Sequence, residues 1–400
     1  MTDQFASGSY IAQAMEGATA TVNVYENVRP ALVDKDTLAK AEEQLAALPD
    51  YVPDPAPLPP GSRMPLKHNP LFVGRESALL AVGQALKKGE TAAIGQVAAV
   101  TGLGGIGKTQ LACECVHCYG QYFAGGVFWL SFADPNAVPA EIAVCGGPGG
   151  LDLRPDFINL PLEDQVRSVL SAWQSPLPRL LVFDNCEDEK LLDQWRPPSG
   201  GCRVLITSRR AEWAPALGVQ SLPLELLSRA EGIDLLRRHR ADLSDEADAI
   251  AEELGDLPLA LHLAGSFLYR YRHTIQPGEY LAQLREKTLD HLSLKGRGTT
   301  FSPTTHELHV GRTFALSYDK LNATDTIDEP ALALLGRTAQ FAPGEPIPHD
   351  LLLLTVEAPE DAEGQLLVED ALSSLCLNEN PSFCHFDRRE KSLMPVFSVR

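Results

Sequence analysis

The sequence predicts an α/β fold, a parallel sheet with helices on both faces followed by helical modules. Two observations carry that expectation. Between positions 76 and 210, short apolar runs alternate with stretches of helical period, as strand–helix–strand units of a parallel sheet require. Beyond 220 the strand pattern stops and helical periodicity continues.

The elements follow in order. Residues 17–25 alternate Thr19, Thr21, Asn23 and Tyr25 with small or apolar neighbours, a period-two strand pattern. A helix is expected over 36–48. The stretch 49–60 holds six prolines and reads as a stiff extended linker, ahead of a body that begins near His68. Helices are expected over 76–88, 108–120, 137–144 and 161–173, and strands over 96–101, 126–132, 179–184 and 203–207. Helical patterns then run over 228–240, 244–254, 257–271 and 277–287, and again over 309–321, 328–340, 348–356 and 365–376. The expected division is an N-terminal segment (1–48), a linker (49–67), an α/β domain (68–220), a helical domain (221–300), a further module (301–377) and an irregular tail (378–400). The tail is basic and aromatic in an acidic chain and has no periodicity. That abrupt change is expected of a truncated or frameshifted reading frame.

Composition narrows the function classes. The chain of 400 residues is 44% hydrophobic and carries a formal net charge of −19. Such a balance repels a phosphate backbone, so nucleic acid is not an expected partner. No apolar run reaches the roughly 18 residues of a membrane span, and the N-terminus lacks a secretory pattern. A cytoplasmic location with no membrane contact is expected. The eight cysteines suggest no disulfide framework. Cys113, Cys115, His117 and Cys118 cluster on one expected helix, but their spacing points them in different directions, so buried thiols are expected rather than a metal site.

The strongest motif is Gly102-Leu103-Gly104-Gly105-Ile106-Gly107-Lys108-Thr109, a full GxxxxGK[ST] match. An apolar strand leads in and a helix leads out at Gln110. Glycines let the backbone wrap so that its N–H groups face phosphate oxygens, and the helix N-terminus adds partial positive charge. Lys108 supplies a full charge to the β- and γ-phosphates, and Thr109 a hydroxyl to Mg²⁺. The apolar run 179–184 ends in Asp184, a carboxylate placed to support that magnesium. The next residue is Asn185, which cannot serve as a base; Glu187 and Asp188 are the nearest carboxylates in sequence, and slow hydrolysis is expected. A third element, the strand 203–207, is expected beside the Asp184 strand and leads into Thr207-Ser208-Arg209, with Arg209 directed at the γ-phosphate.

Together with Asn69-Pro70-Leu71-Phe72-Val73-Gly74-Arg75-Glu76 and Gly255-Asp256-Leu257-Pro258-Leu259-Ala260, these motifs give a chain that resembles the NB-ARC group of STAND P-loop NTPases over 69–376. The resemblance implies ADP/ATP as ligand, with Val73 and Arg75 against adenine and ribose, the loop residues Gly102, Gly104, Gly105, Ile106, Gly107, Lys108, Thr109 and Gln110 on the phosphates, and Pro258 and Leu259 closing from the helical domain. It implies a winged-helix-like domain over 301–377. It also implies a regulatory switch with self-oligomerisation on ATP binding and an effector protein reached through the N-terminal segment. Asp256 departs from the family's Gly-Leu-Pro-Leu-Ala, and the family's final histidine motif is missing, since His385 lies in the discordant tail. Three alternatives stand beside the switch. One is a remodelling ATPase, against which Asn185 argues. Another is a DNA-binding regulator, for which 308–376 offers just Arg312, Lys320 and Arg337. The last is a truncated ADP-binding remnant.

Overall fold

The computed structural model describes residues 33–87, 105–210, 213–286 and 291–295, positions 329, 333, 334 and 337, and the backbone of three short strands at 97–101, 346–348 and 383–385. The expected strand at 17–25, most of the winged-helix-like region, and Gly102 and Gly104 lie outside the described residues.

Helix α1 (Lys35–Ala46) starts at Asp34, whose carboxylate accepts the Thr37 N–H at 2.9 Å. It is held against the body. Leu45 and Leu48 pack into the same core as Leu79, Leu86 and Leu111, and Lys87 Nζ donates to the Leu48 carbonyl at 2.6 Å. The proline-rich stretch likewise lies on the body. Val52, Leu58, Met64 and Leu66 pack on that core, and Arg63 forms a parallel bridge at the sheet edge, its N–H to Val127 O at 2.7 Å and its carbonyl accepting from Trp129 N at 2.9 Å. Composition suggested a spacer. The apolar residues between the prolines instead make it a strap, since burying them yields more than leaving them in water.

Helix α2 (Glu76–Lys87) leads to strand β1 (Val97–Thr101), and α3 (Lys108–Tyr119) follows the glycine loop. Then come β2 (Val127–Ser131), α4 (Val138–Val144), α5 (Leu162–Trp173), β3 (Arg179–Asp184), α6 (Glu189–Trp195), β4 (Cys202–Thr207) and β5 (Val219–Pro223). All five strands are parallel, in the order β2-β3-β4-β1-β5. Alternate residues feed two cores: Leu180, Val182 and Leu205 meet α2 and α3 on one face, while Leu181, Phe183 and Ile206 meet α4 and α5 on the other. Two elements had no sequence signal. Helix α6 is short, and β5 is a solvent-facing edge strand with two of its five residues at intermediate exposure and the rest exposed. Strand β5 runs across 220/221, so the sheet reaches past the position where composition divides the chain.

The next unit consists of α7 (Arg229–His239), α8 (Glu246–Leu254), α9 (Pro258–Arg270) and α10 (Pro277–Glu286), each within two residues of its expected bounds. Leu236, Ile250, Leu261, Phe267, Tyr280 and Leu284 form its core. Farther on, β6 (Pro346–Pro348) pairs antiparallel with β7 (Phe383–His385), so part of the tail expected to be irregular forms a strand. Among the described residues no helix is long and apolar enough to cross a membrane.

Candidate phosphate-binding site

The parallel topology gathers the site. Because β4 lies between β1 and β3, the C-terminal ends of the strands bring the glycine loop, Thr207-Ser208-Arg209 and Asp184 to one edge of the sheet. Gly105 and Gly107 take φ values of 80° and 100°, a region closed to most side chains, and Gly107 is the N-cap of α3 with no side-chain cap on the helix. A Cβ built on Gly107 meets nothing within 4 Å. The left-handed glycine thus leads into the N-terminus of α3, whose first-turn amides and partial positive charge fit phosphate oxygens.

Beside that helix start stand the polar groups. Thr109 Oγ1 donates to Asp184 Oδ1 at 2.8 Å, and Thr207 Oγ1 donates to the same oxygen at 2.5 Å. Thr207 Oγ1 in turn accepts the Asn185 N–H at 2.9 Å. Asp184 and Thr207 are both buried. A hydroxyl and a carboxylate oxygen side by side form a hard donor pair that fits a magnesium ion. Lys108 is half-buried. Burial pulls its ammonium down to about 8, Glu187 and Asp184 push it back up, and Arg209 adds to the fall.

Asn185 has φ 62°, one of the few side chains that tolerates this conformation, and the turn it makes sends Glu187 back toward β4. Cys186 N–H bonds the Thr207 carbonyl at 3.0 Å. Glu187 then accepts from Ser208 Oγ at 2.8 Å and from the Arg209 N–H at 3.1 and 3.0 Å. Asp188 caps α6 through the Lys190 N–H at 2.7 Å. Of the two carboxylates after Asn185, Glu187 belongs to the site.

The helical unit closes on the loop from one side. Pro258 is the first residue of α9, and Leu259 N–H donates to the Gly105 carbonyl at 3.2 Å, with the Leu259 side chain against Gly105. Arg75, at φ 63°, donates from its backbone N–H to Glu231 Oε1 at 3.0 Å and from Nη2 to the Ile106 carbonyl at 3.2 Å; Nη1 bonds the Glu225 carbonyl. One arginine thus ties the glycine loop, the exit of the sheet and α7 together. Val73 spends its side chain in the helical core, 5% exposed. Gln110 turns away from the loop, its amide to Glu114 Oε1 at 3.0 Å.

Sequence reasoning gave no structural role to three side chains. Glu114, buried on α3, accepts from the Asn69 N–H at 2.8 Å and pairs with His68 Nδ1 at 2.6 Å, fixing the approach to Val73. Glu231 holds Arg75. Asp256, the residue that breaks the family spacing, sits at φ 59° and takes a two-pronged bond from Arg229, at 2.9 and 3.1 Å. A buried acid inside an amphipathic helix is the sole trace of Glu114 in the sequence. Cys113, Cys115 and Cys118 are buried thiols; burial raises all three, Cys118 to about 11.

No family model matches the chain. It is 29% identical over 363 residues to the regulatory protein AfsR of Streptomyces griseus, covering 87% of this chain and 34% of that protein. It is 27% identical over 320 residues to AfsR of Streptomyces coelicolor, covering 76% and 29%. A nucleotide-binding leucine-rich repeat (NLR)-like protein of Hyaloscypha variabilis is 25% identical over 239 residues, covering 53% and 24%. The chain spans about a quarter to a third of the length of these relatives. Among solved structures, a STAND protein with a tetratricopeptide repeat sensor from Pyrococcus horikoshii aligns with 86% of this chain and 45% of its own, at 16% identity and a TM-score of 0.37.

Proposed function

We propose that the chain, similar to AfsR regulators and to an NLR-like protein, is a P-loop NTPase of the NB-ARC/STAND type and a regulatory switch set by ADP and ATP. The observation that supports this reading most is the tie between the glycine loop and the helical unit, through Leu259 to Gly105 and Arg75 to Ile106. A ligand seated at the loop acts on groups that both units share, and a ligand moves an equilibrium through its different affinity for the two arrangements.

In this reading Lys108 and the amides of Gly107 and the start of α3 bind the phosphates. Arg209 reads the third phosphate. Val73 and Arg75 stand on the base and ribose side, Pro258 and Leu259 on the closing side. Thr109 and Asp184 would hold the magnesium, which when bound neutralises charge between the β- and γ-phosphates. Adenine as the base, self-oligomerisation with ATP, and an effector reached through residues 1–30 belong to the same proposal. Hydrolysis is slow, because Asn185 cannot polarise water and Glu187 is tied to Ser208 and Arg209.

The test is the nucleotide carried by the purified chain. One equivalent of ADP released on denaturation, with larger assemblies appearing on size exclusion after exchange to ATP, is the expected outcome. A chain that comes free of nucleotide and takes none up ends this reading. Sustained turnover above about 1 s⁻¹, at the low end of ordinary enzymes, favours a remodelling ATPase instead.

A further inference from the structure

We propose that Glu187 makes the site prefer a nucleoside diphosphate over a triphosphate: its carboxylate, clamped by the Ser208 hydroxyl and the Arg209 N–H, stands on the Arg209 side of the loop, where a third phosphate brings a further negative charge. This rests on the nucleotide reading above and deepens it.

The clamp is built from the backbone up. Asn185 takes the left-handed conformation, φ 62°, and Cys186 pairs its N–H with the Thr207 carbonyl at 3.0 Å, so Glu187 is delivered beside the end of β4. There its oxygens accept the Ser208 hydroxyl at 2.8 Å and the Arg209 N–H at 3.1 and 3.0 Å. Ser208 is 1% exposed and Glu187 is half-buried, so the clamp lies partly out of solvent. The hydrogen bonds come from a hydroxyl and an amide, which orient the carboxylate and leave its charge in place. That charge is felt at the phosphate lysine: among the charged groups acting on Lys108, Glu187 comes ahead of both Arg209 and Asp184.

A P-loop lysine and the residue that reads the γ-phosphate lie on either side of the terminal phosphate. A carboxylate fixed at the backbone of Arg209 disfavours the extra charge of a triphosphate more than the charge of the β-phosphate, which the α3 N-terminus neutralises. Like charges near a protein surface, at an effective dielectric of about 20, repel strongly enough to matter for a ligand choice. Screening by solvent reduces that to roughly ten-fold in relative affinity.

The test measures dissociation constants for ADP and ATP, with magnesium, by displacement of a fluorescent ADP analogue from the full chain. Glu187→Gln keeps an acceptor for Ser208 and Arg209 and removes the charge. It is expected to raise ATP affinity relative to ADP by about ten-fold, with melting temperature near that of the wild type. Glu187→Asp, which keeps the charge, is expected to retain most of the preference. An ATP-to-ADP ratio unchanged by Glu187→Gln overturns the proposal, and so does a loss of turnover with unchanged affinities, which makes Glu187 a base. A wild-type chain that displaces neither nucleotide overturns the nucleotide reading itself, a result distinct from both.

Discussion

Thr207 shows how much of the site hangs on one hydroxyl. It accepts from the Asn185 N–H and donates to Asp184 Oδ1, so a single oxygen sets both the turn after β3 and the rotamer of the carboxylate. Thr207→Val keeps the shape and removes both bonds. Leaving a buried N–H and a carboxylate oxygen short of a partner costs about 1–3 kcal/mol. We expect a lower melting temperature and a higher magnesium concentration for half-maximal nucleotide binding, both restored by Thr207→Ser. Unchanged magnesium dependence in a folded Thr207→Val chain removes Thr207 from the site. Lys108 works differently, by charge. Lys108→Ala is expected to weaken ADP and ATP together by about 10- to 100-fold, the value of a charge-assisted bond, as read by fluorescent displacement; equal affinities for wild type and variant refute its role.

At the scale of the element, α7 carries two separate loads. Its N-terminus is a capping box, Ser228 with Glu231, and the same Glu231 takes the Arg75 N–H at 3.0 Å. Gly74 beside it has no room for a side chain, because a Cβ there would lie 1.9 Å from Glu231 Oε1. Glu231→Ala therefore loses a cap and an inter-unit anchor at once, and chemical denaturation is expected to show a loss of about 1–2 kcal/mol. The other end of α7 meets α9 through His239 Nε2 and His262 Nδ1, 3.2 Å apart. Burial, reinforced by the facing His262, pulls His239 from 6.5 down to about 4. The unfolded chain binds the proton first, so stability is full above pH 6.5 and falls as the pH drops from there toward 4. Melting temperatures across that range, compared with His239→Gln, check the sign: the variant's profile is expected to be flatter.

At the scale of the whole molecule, the proposed ligand position lies between the sheet and the helical unit, which meet beside the glycine loop. Leu259 meets the loop at Gly105, and Arg75 meets it at Ile106. A ligand bound there stabilises both. At a hundred times its dissociation constant it adds about 2.7 kcal/mol, which moves a melting temperature by roughly 5 °C. ADP is expected to give that shift in the wild type and not in Lys108→Ala; the same shift in both places the nucleotide elsewhere. The net charge of −19 belongs to this scale as well. It opposes a broad nucleic-acid contact, and a mobility-shift titration of duplex DNA at low salt is the direct check.

The local elements were legible in the sequence. Periodicity located α2, α3, α5 and the four inner or apolar strands, and spacing located Lys108, Thr109 and Asp184, because burial demands and backbone conformation are written in residue type along the chain. The sequence also placed β4 beside the Asp184 strand. What only the tertiary structure decided are meetings between distant positions: Thr207 with Asp184, Glu187 with Arg209, Glu231 with Arg75, Glu114 with Asn69. A glutamate carries no mark of its partner, so its role appears only when the strand order and the turn at Asn185 have set it down. The proline-rich strap and the exposed edge strand β5 escaped for the same reason, since each is held by a surface that other parts of the chain supply.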